Sequence, residues 1–201
     1  MDDSLLIGRD EFGRSEDLGR LPSRTEALAL LGNWVANDRL RLHMRQVAAL
    51  LEVWARDKLS LAPAEVDKWY LAGLLHDADC DKWPETHPQK VISHLEEGHY
   101  DPELIHGIAA HGPRHFGVAA KTNLDRMIFA VDELSGFVHA CSLVRPEGYN
   151  GMEVSSVKKK LKNVGFAAQV DRQDIAEGAE SAGLALDDLI AFVIATQKEV
   201  H

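Results

Sequence analysis

Apolar residues recur at helical spacing along most of the chain, and no segment shows the strict alternation of a β-strand. The first periodic segment predicts a helix that Thr25 can cap and that continues to Val35. Asn37 and Asp38 interrupt the pattern, and a second helix is predicted from about residue 39 to residue 58. The pattern therefore favours an all-α fold from the outset.

Proline and glycine mark the bounds of the helices that follow. Pro63 suits the first turn of a third helix, which would end at His76 or Asp77. The polar, proline-containing segment 78–88 is predicted to be a loop. Further helices are predicted over residues 89–97, 102 to about 112, 123–143, 158–162, 172–182 and 187–198. The fold class predicted from the pattern is all-α.

Length and composition indicate one globular domain. The chain has 201 residues, of which 45% are hydrophobic and 27% charged, so it can bury a substantial core. No apolar run approaches the length of a transmembrane helix, and the N-terminus lacks the apolar stretch of a secretory signal. We expect residues 1–22, rich in Gly, Asp, Glu and Arg, to be a loosely ordered arm and residues 23–201 to form the domain.

Charge and cysteine content limit the partners and the compartment. The net charge of -10 disfavours general binding to nucleic acid or to anionic membranes. A small phosphorylated substrate remains compatible, because a bound metal ion can reverse the local sign of the charge. Cys80 and Cys141 have no zinc-ribbon spacing and do not make a disulfide scaffold. We therefore expect a reduced, cytoplasmic location, and the sequence does not indicate an oligomeric state.

Six residues of metal-binding type occur in order along the predicted helices and their connecting loop. They are His43, His76, Asp77, His87, His111 and Asp132. His76 and Asp77 end a strongly apolar helix, where an unpaired charge is costly. A divalent metal ion is the partner that uses both an imidazole and a carboxylate, so these six residues are candidate metal ligands.

A His, a His-Asp pair and a distal Asp, in this order, resemble the pattern of the HD-domain metal-dependent phosphohydrolases. The matching residues are His43, His76, Asp77 and Asp132. The stretches 72–79, 129–137, 143–146 and 157–162 are similar to a subfamily of small, single-domain, mostly uncharacterised bacterial HD proteins. The likeness covers roughly residues 24–199, and it implies an HD-domain helical bundle.

The resemblance implies a divalent cofactor such as Mn, Fe or Mg, with either one or two ions. His87, which precedes a proline, and His111, which ends the next helix, resemble the second ligand set of two-metal members. Asp77 would then bridge the ions. The sequence departs from related families at Val91, where glycine is frequent. The alternative is one ion, with His87 and His111 as hydrogen-bond partners of a phosphate group.

The activity that the resemblance implies is hydrolysis of a phosphate ester, a nucleotide or small phosphorylated metabolite, by a metal-activated hydroxide. Asp77 would hold the ion. Lys82 resembles a phosphate-binding lysine of several HD enzymes, and Arg145 and His111 are further candidate substrate contacts. Asp81 is a candidate general base. A solvated loop position is an equal alternative for Lys82. An exposed loop cap is an equal alternative for Asp81.

Two other classes of function stay open, because a fold does not by itself settle function. One is a di-iron, oxygenase-like HD protein. The other is a ligand-binding or regulatory HD module with little turnover. The remaining central histidines are His94, His99, His106 and His115, and the sequence assigns none of them to the metal site. The loop that carries His115 is a weaker candidate for contact with a substrate.

Overall fold

The computed structural model describes residues 5–200, and this part of the chain is helical, with no strand. Its α-helices are α1 (Arg24–Trp34), α2 (Asp38–Val53), α3 (Pro63–Leu75), α4 (Gln89–Glu97), α5 (Pro102–Ala109), α6 (Pro113–Phe116), α7 (Asn123–Leu143), α8 (Val154–Leu161), α9 (Arg172–Ser181) and α10 (Leu186–Gln197). The all-α prediction is confirmed. None of the helices in the described range has the length and apolarity needed to cross a bilayer.

Local capping signals explain most of the helix bounds. Helix α1 differs from the prediction, because Ser23 and not Thr25 is its N-cap. The Ser23 side chain accepts a hydrogen bond from the Glu26 N–H, and the Glu26 side chain accepts one from the Ser23 N–H. This capping box satisfies two helix-end donors and places Thr25 inside the helix. Helix α6 was not predicted, since four residues are too few to show a period.

The centre of the bundle lies where α2, α3 and α7 pack together. Met44, Leu74 and Phe137 from these helices are completely buried. Gly73 lets α2 and α3 approach closely, because a Cβ atom at this position would lie 2.7 Å from the backbone nitrogen of Ala48. This close approach holds α2, which carries His43, side by side with α3, which ends next to His76.

The C-terminal helices cover the other side of α7. Helices α9 and α10 pack against α7, and α8 packs against α7 and α10. Gly178 in α9 permits a close approach, since a Cβ atom there would lie 2.8 Å from the Cα atom of Ala130. This packing brings the first turn of α9, with Asp171 and Asp174, next to α6.

The segment before α1 contacts the bundle at several points. The sequence predicts a loosely ordered arm over residues 1–22, and its first four residues lie outside the described part of the chain. In the described part, the Ile7 N–H donates to the Phe116 carbonyl at 3.0 Å. The Gly19 N–H donates to the Asp101 carboxylate at 2.6 Å. Through these contacts the segment lies along α5 and α6. The loose order of the arm stays a prediction.

Candidate metal centre

The six candidate ligands, named above from the sequence, lie around the floor of one cavity of about 230 Å³. They come from α2, the C-terminal end of α3, the loop before α4, the end of α5 and the middle of α7. His76 is completely buried beneath the floor. The other residues that line the cavity are Gly112, His115, Phe116, Glu133, Gly136 and Asp174.

The first group of candidate ligands gathers around Asp132. The Oδ1 atom of Asp132 lies 2.9 Å from His43 Nε2 and 3.3 Å from His76 Nε2. The Oδ2 atom of Asp77 lies 3.4 Å from His76 Nε2 and 3.8 Å from His43 Nε2. Two imidazoles and two carboxylates therefore face a common point.

The second group faces the other oxygen of Asp77. The Oδ1 atom of Asp77 lies 3.2 Å from His87 Nε2 and 3.7 Å from His111 Nε2. The Nε2 atoms of His87 and His111 are 3.3 Å apart. Asp77 thus presents one carboxylate oxygen to each pair of histidines.

Backbone carbonyl groups fix the orientation of two of these imidazole rings. His76 Nδ1 donates to the Gly73 carbonyl at 2.8 Å, and His111 Nδ1 donates to the Ile108 carbonyl at 2.5 Å. Because a carbonyl oxygen can only accept, the proton of each neutral ring is on Nδ1. The Nε2 lone pair of each ring is therefore available to a metal ion.

The surroundings of His76 Nε2 fit a divalent ion. This atom is buried and makes no hydrogen bond with any described residue, which is costly for a polar atom without a partner. Atoms that bind one ion at about 2.1 Å lie roughly 3 to 3.5 Å from one another. The carboxylates of Asp77 and Asp132 lie 3.4 and 3.3 Å from His76 Nε2, and a mixed imidazole and carboxylate set suits Mn, Fe or Mg.

Proton binding at these histidines would compete with a metal ion. Burial alone would lower the pKa of His76, but the carboxylates of Asp77 and Asp132 raise it well above its usual value. Burial alone would also lower the pKa of His87. Hydrogen bonds to two carboxylates outweigh burial and raise this pKa to about 9. Burial, together with the charges of His76 and His87, lowers the pKa of His111 to about 4. Metal binding should therefore release protons and weaken as the pH falls.

Cys80 is close to this centre, but its thiol is a less favourable ligand than the imidazoles and carboxylates around it. Its Sγ atom lies within 4.8 Å of one possible ligand atom of Asp77 and one of His87. Burial, with the neighbouring carboxylates, raises the pKa of the Cys80 thiol to about 12. Without a metal ion the thiol is therefore protonated at neutral pH, and an ion would have to displace that proton before it could bind the sulfur.

Asp79 is a residue of the candidate site that the sequence did not indicate. It is completely buried, and its Oδ1 atom accepts a hydrogen bond from His87 Nδ1 at 2.6 Å. Its Oδ2 atom accepts from the backbone N–H groups of Lys90 and Val91 at 2.9 and 3.0 Å. One carboxylate thus orients His87 and anchors the start of α4, where Val91 is fully buried.

Asp79→Asn is expected to weaken metal binding at the His87 side of the centre by about 10- to 100-fold. The asparagine amide group would face either His87 Nδ1 or the two backbone donors, so one of these contacts is lost, at a cost of about 1–3 kcal/mol in stability. Metal titration and urea unfolding measure both effects. Asp81→Asn, an exposed carboxylate nearby, is the control and should leave the metal affinity unchanged. Equal affinities in the two variants would contradict the role of Asp79.

Two candidate residues on the loop after Asp77 do not line the cavity. The carboxylate of Asp81 accepts hydrogen bonds from the backbone N–H groups of Ala36 and Asn37 at 2.7 and 3.0 Å. Asp81 therefore has the position of a loop cap, which the sequence left open as the alternative role. This position does not support a role as general base. The Nζ atom of Lys82 lies 4.8 Å from the centre of the Trp83 ring, and Lys82 is exposed. Contact between Lys82 and a phosphate stays a prediction without support from its position.

Arg145, the other predicted phosphate contact, stabilises its own loop. Its Nε atom donates to the Gly148 carbonyl at 3.0 Å, and Nη2 donates to the Asn150 carbonyl at 2.9 Å. Arg145 does not line the cavity. These donors are committed to the turn after α7, so the position of Arg145 gives no support to a phosphate clamp.

The cavity wall contains two acidic residues outside the candidate ligand set, Glu133 and Asp174. Burial, followed by the charge of Asp132, raises the pKa of the Glu133 carboxyl to about 8. Glu133 Oε2 accepts a hydrogen bond from the Asp171 N–H at 3.2 Å. His115 and Asp174, which also line the wall, lie 59 residues apart in the sequence. Only the fold of α9 onto α7 brings this wall together.

Comparison with protein-family models identifies an HD domain over residues 41–136. The matched range includes all six candidate ligands and ends before α8, α9 and α10. Neither a comparison with curated proteins nor one with solved structures gives a match. The family model, the helical fold and the His and Asp groups agree. The chain therefore contains an HD domain over residues 41–136, and the HD-domain superfamily consists largely of metal-dependent phosphohydrolases.

Proposed function

We propose that this protein hydrolyses a phosphate ester with one or two divalent metal ions, and that the substrate is a nucleotide or a small phosphorylated metabolite. The observation that carries the proposal is the convergence of four imidazole Nε2 atoms and two carboxylates on the floor of one open cavity. When bound, a divalent ion would lower the pKa of water and stabilise negative charge on phosphoryl oxygens.

The position of Asp77 supports two ions. Its two oxygens face different pairs of histidines. The residues that would hold the first ion are His43, His76, Asp77 and Asp132. The residues that would hold the second are Asp77, His87 and His111. Asp77 would lie between the ions, and the Nδ1 contacts of His76, His87 and His111 hold the Nε2 atoms of these three rings toward the centre.

The charge of the cavity wall also supports two ions. Among the described residues, neither a lysine nor an arginine lines the cavity, whereas four acidic residues do. A phosphate group that enters this space would meet only histidines as possible cationic side chains among the described residues that line it. A metal centre would supply the further positive charge, and two ions would supply more of it than one.

The size of the cavity supports a small substrate or a small part of a larger one. Its volume of about 230 Å³ is below the roughly 300–1,000 Å³ that is usual for small-molecule sites. The cavity would accept the phosphate group and the atoms next to it. The base of a nucleotide would extend beyond the cavity.

Metal content tests the number of ions. Wild-type protein is expected to contain about two equivalents of metal per chain, and His87→Ala about one, because His87 belongs to only one of the two ligand groups. Elemental analysis of both purified proteins makes the measurement. One equivalent in each protein would contradict two ions, and would make His87 a contact of the phosphate group.

A substrate screen tests the reaction. Metal-free protein reloaded with Mn²⁺, Fe²⁺ or Mg²⁺ would be incubated with phosphomonoesters, phosphodiesters and nucleotides, and phosphate and alcohol release would be followed. We expect hydrolysis that requires the ion and stops with a chelator. Oxygen consumption by iron-loaded protein without phosphate release would instead indicate the oxygenase-like class. Ligand binding without turnover would indicate a regulatory module.

A further inference from the structure

An aspartate–histidine pair lies on the cavity wall, separate from the candidate metal ligands. His115 in α6 and Asp174 in α9 both line the cavity. The Nε2 atom of His115 donates to the Oδ2 atom of Asp174 at 2.9 Å. The Asp174 side chain is 3% exposed and the His115 side chain 47% exposed, so a buried carboxylate holds an imidazole that a molecule in the cavity can reach.

Both oxygens of Asp174 are held in place. Its Oδ1 atom accepts a hydrogen bond from Arg114 Nη1 at 2.9 Å, and the same nitrogen lies 3.1 Å from Asp171 Oδ2. Asp171 is the N-cap of α9 and accepts hydrogen bonds from the N–H groups of Gln173 and Asp174. The N-terminal end of α9 also favours negative charge in its first turn. Asp174 is thus fixed as the hydrogen-bond acceptor of His115 Nε2–H.

This contact determines which nitrogen of His115 is available for proton transfer. With Nε2–H committed to Asp174, Nδ1 remains, and no described residue forms a hydrogen bond with it. A carboxylate that accepts a hydrogen bond from one imidazole nitrogen fixes the orientation of the ring. A second proton on His115 is therefore held on Nδ1, where a group in the cavity can take it.

The hydrolysis proposed above needs such a proton. A bound metal ion would assist the attacking water, but the residues that would hold it could not also protonate the alcohol oxygen that leaves. Without a proton, that oxygen departs as an alkoxide, which is a poor leaving group unless its alcohol is acidic. His115 is outside the ligand groups and on the wall of the same cavity.

We propose that His115 is the general acid of this reaction, and that Asp174 and Arg114 are its positioning residues. The inference rests on the proposed phosphate-ester hydrolysis. The oxygen of water bonds to phosphorus, and the bond from phosphorus to the alcohol oxygen breaks. Its electron pair goes to that oxygen, which takes the Nδ1 proton of His115. The water gives up one proton to solvent, and solvent returns one to His115, so the products are alcohol and phosphate.

A cation held by His115, Asp171 and Asp174 is the competing explanation for the cluster. One atom from each of these residues lies within 4.8 Å of the others. The Arg114 guanidinium, however, already contacts both carboxylates. A cation there would lie beside a fixed positive charge, so the guanidinium takes the place that a metal ion would need.

Two aryl esters of similar size test the general acid. Phenol, like a tyrosine side chain, has a pKa of about 10, whereas p-nitrophenol is much more acidic and leaves without help. In Mn²⁺-loaded protein, His115→Ala should reduce kcat/KM for phenyl phosphate by on the order of 10²-fold. The loss with p-nitrophenyl phosphate should be less than about tenfold. A structural effect of the substitution would reduce both rates equally.

Asp174→Asn tests the positioning residue without changing its size. It should show the same selective loss with phenyl phosphate, and the double variant with His115→Ala should lose no more than about twofold beyond either single variant. His94→Ala, an exposed histidine of α4 that does not line the cavity, is the control and should leave both rates unchanged.

The outcomes separate this inference from the proposed function. Equal loss on both esters in His115→Ala would overturn the general acid while the hydrolase stands. Loss of a metal equivalent from His115→Ala would also overturn it, in favour of the cation. Wild-type protein that hydrolyses no ester in the screen or in this pair would overturn the proposed function and the general acid with it.

Discussion

Asp77→Asn is expected to abolish hydrolysis and to remove most of the bound metal. Asp77 is the residue whose two oxygens face both histidine pairs, so its loss affects every ion that the centre can hold. An asparagine keeps the size of the side chain but supplies only one neutral oxygen. We expect kcat/KM to fall at least about 10³-fold, equivalent to roughly 4 kcal/mol of transition-state stabilisation.

Elemental analysis, activity and circular dichroism measured together make this test specific. The helical signal should remain, because the Asp77 side chain lies at the cavity surface and is 17% exposed. Asp81→Asn again serves as the control. Asp81 is four residues after Asp77, and its carboxylate caps a loop. Full metal content in Asp77→Asn would mean that the ligand assignment is wrong.

Gly73→Ala is expected to destabilise the protein by about 1–3 kcal/mol, although alanine is the better helix former. The added Cβ atom would lie 2.7–2.9 Å from backbone atoms of Val47 and Ala48, which cannot rotate away as a side chain would. Helices α2 and α3 must therefore separate. Because these helices carry His43 and lead to His76, the affinity for metal should fall as well.

Urea unfolding of metal-free protein measures the loss of stability in Gly73→Ala. The matched control is Gly32→Ala in α1, where a Cβ atom would meet nothing within 4 Å. That substitution should stabilise the protein by up to about 1 kcal/mol through helix propensity. Similar unfolding midpoints for Gly73→Ala and wild type would show that the two helices can separate at little cost.

Helix bounds followed from the sequence wherever a local signal set them. Pro63 and Pro102 open α3 and α5, and Gly98 follows α4, as their positions predicted. Ser23 took the place of Thr25 because the capping box uses a residue three positions later, which periodicity does not reveal. The fold class was predictable because the apolar pattern is repeated many times along the chain.

The site was predictable where order along the chain carried the information. The six candidate ligands were recognised from their resemblance to the HD pattern, and the structure brings them together. The roles predicted for Asp81, Lys82 and Arg145 are not supported by their positions. Each of these loop side chains is oriented by a nearby donor, carbonyl group or ring, which the sequence does not reveal. The sequence offered the loop that carries His115 only as a weaker candidate for contact with a substrate, and it did not indicate Asp174. The contact between these two residues depends on how α9 packs on α7.

The ligand set also has a consequence for folding. His43 and Asp132 are 89 residues apart, yet their side chains meet at 2.9 Å. An ion held between them would act as a reversible cross-link that closes this long loop of chain, much as a disulfide does. Heat resistance should then depend on free metal concentration, and a cell short of that metal would hold a looser population of the protein.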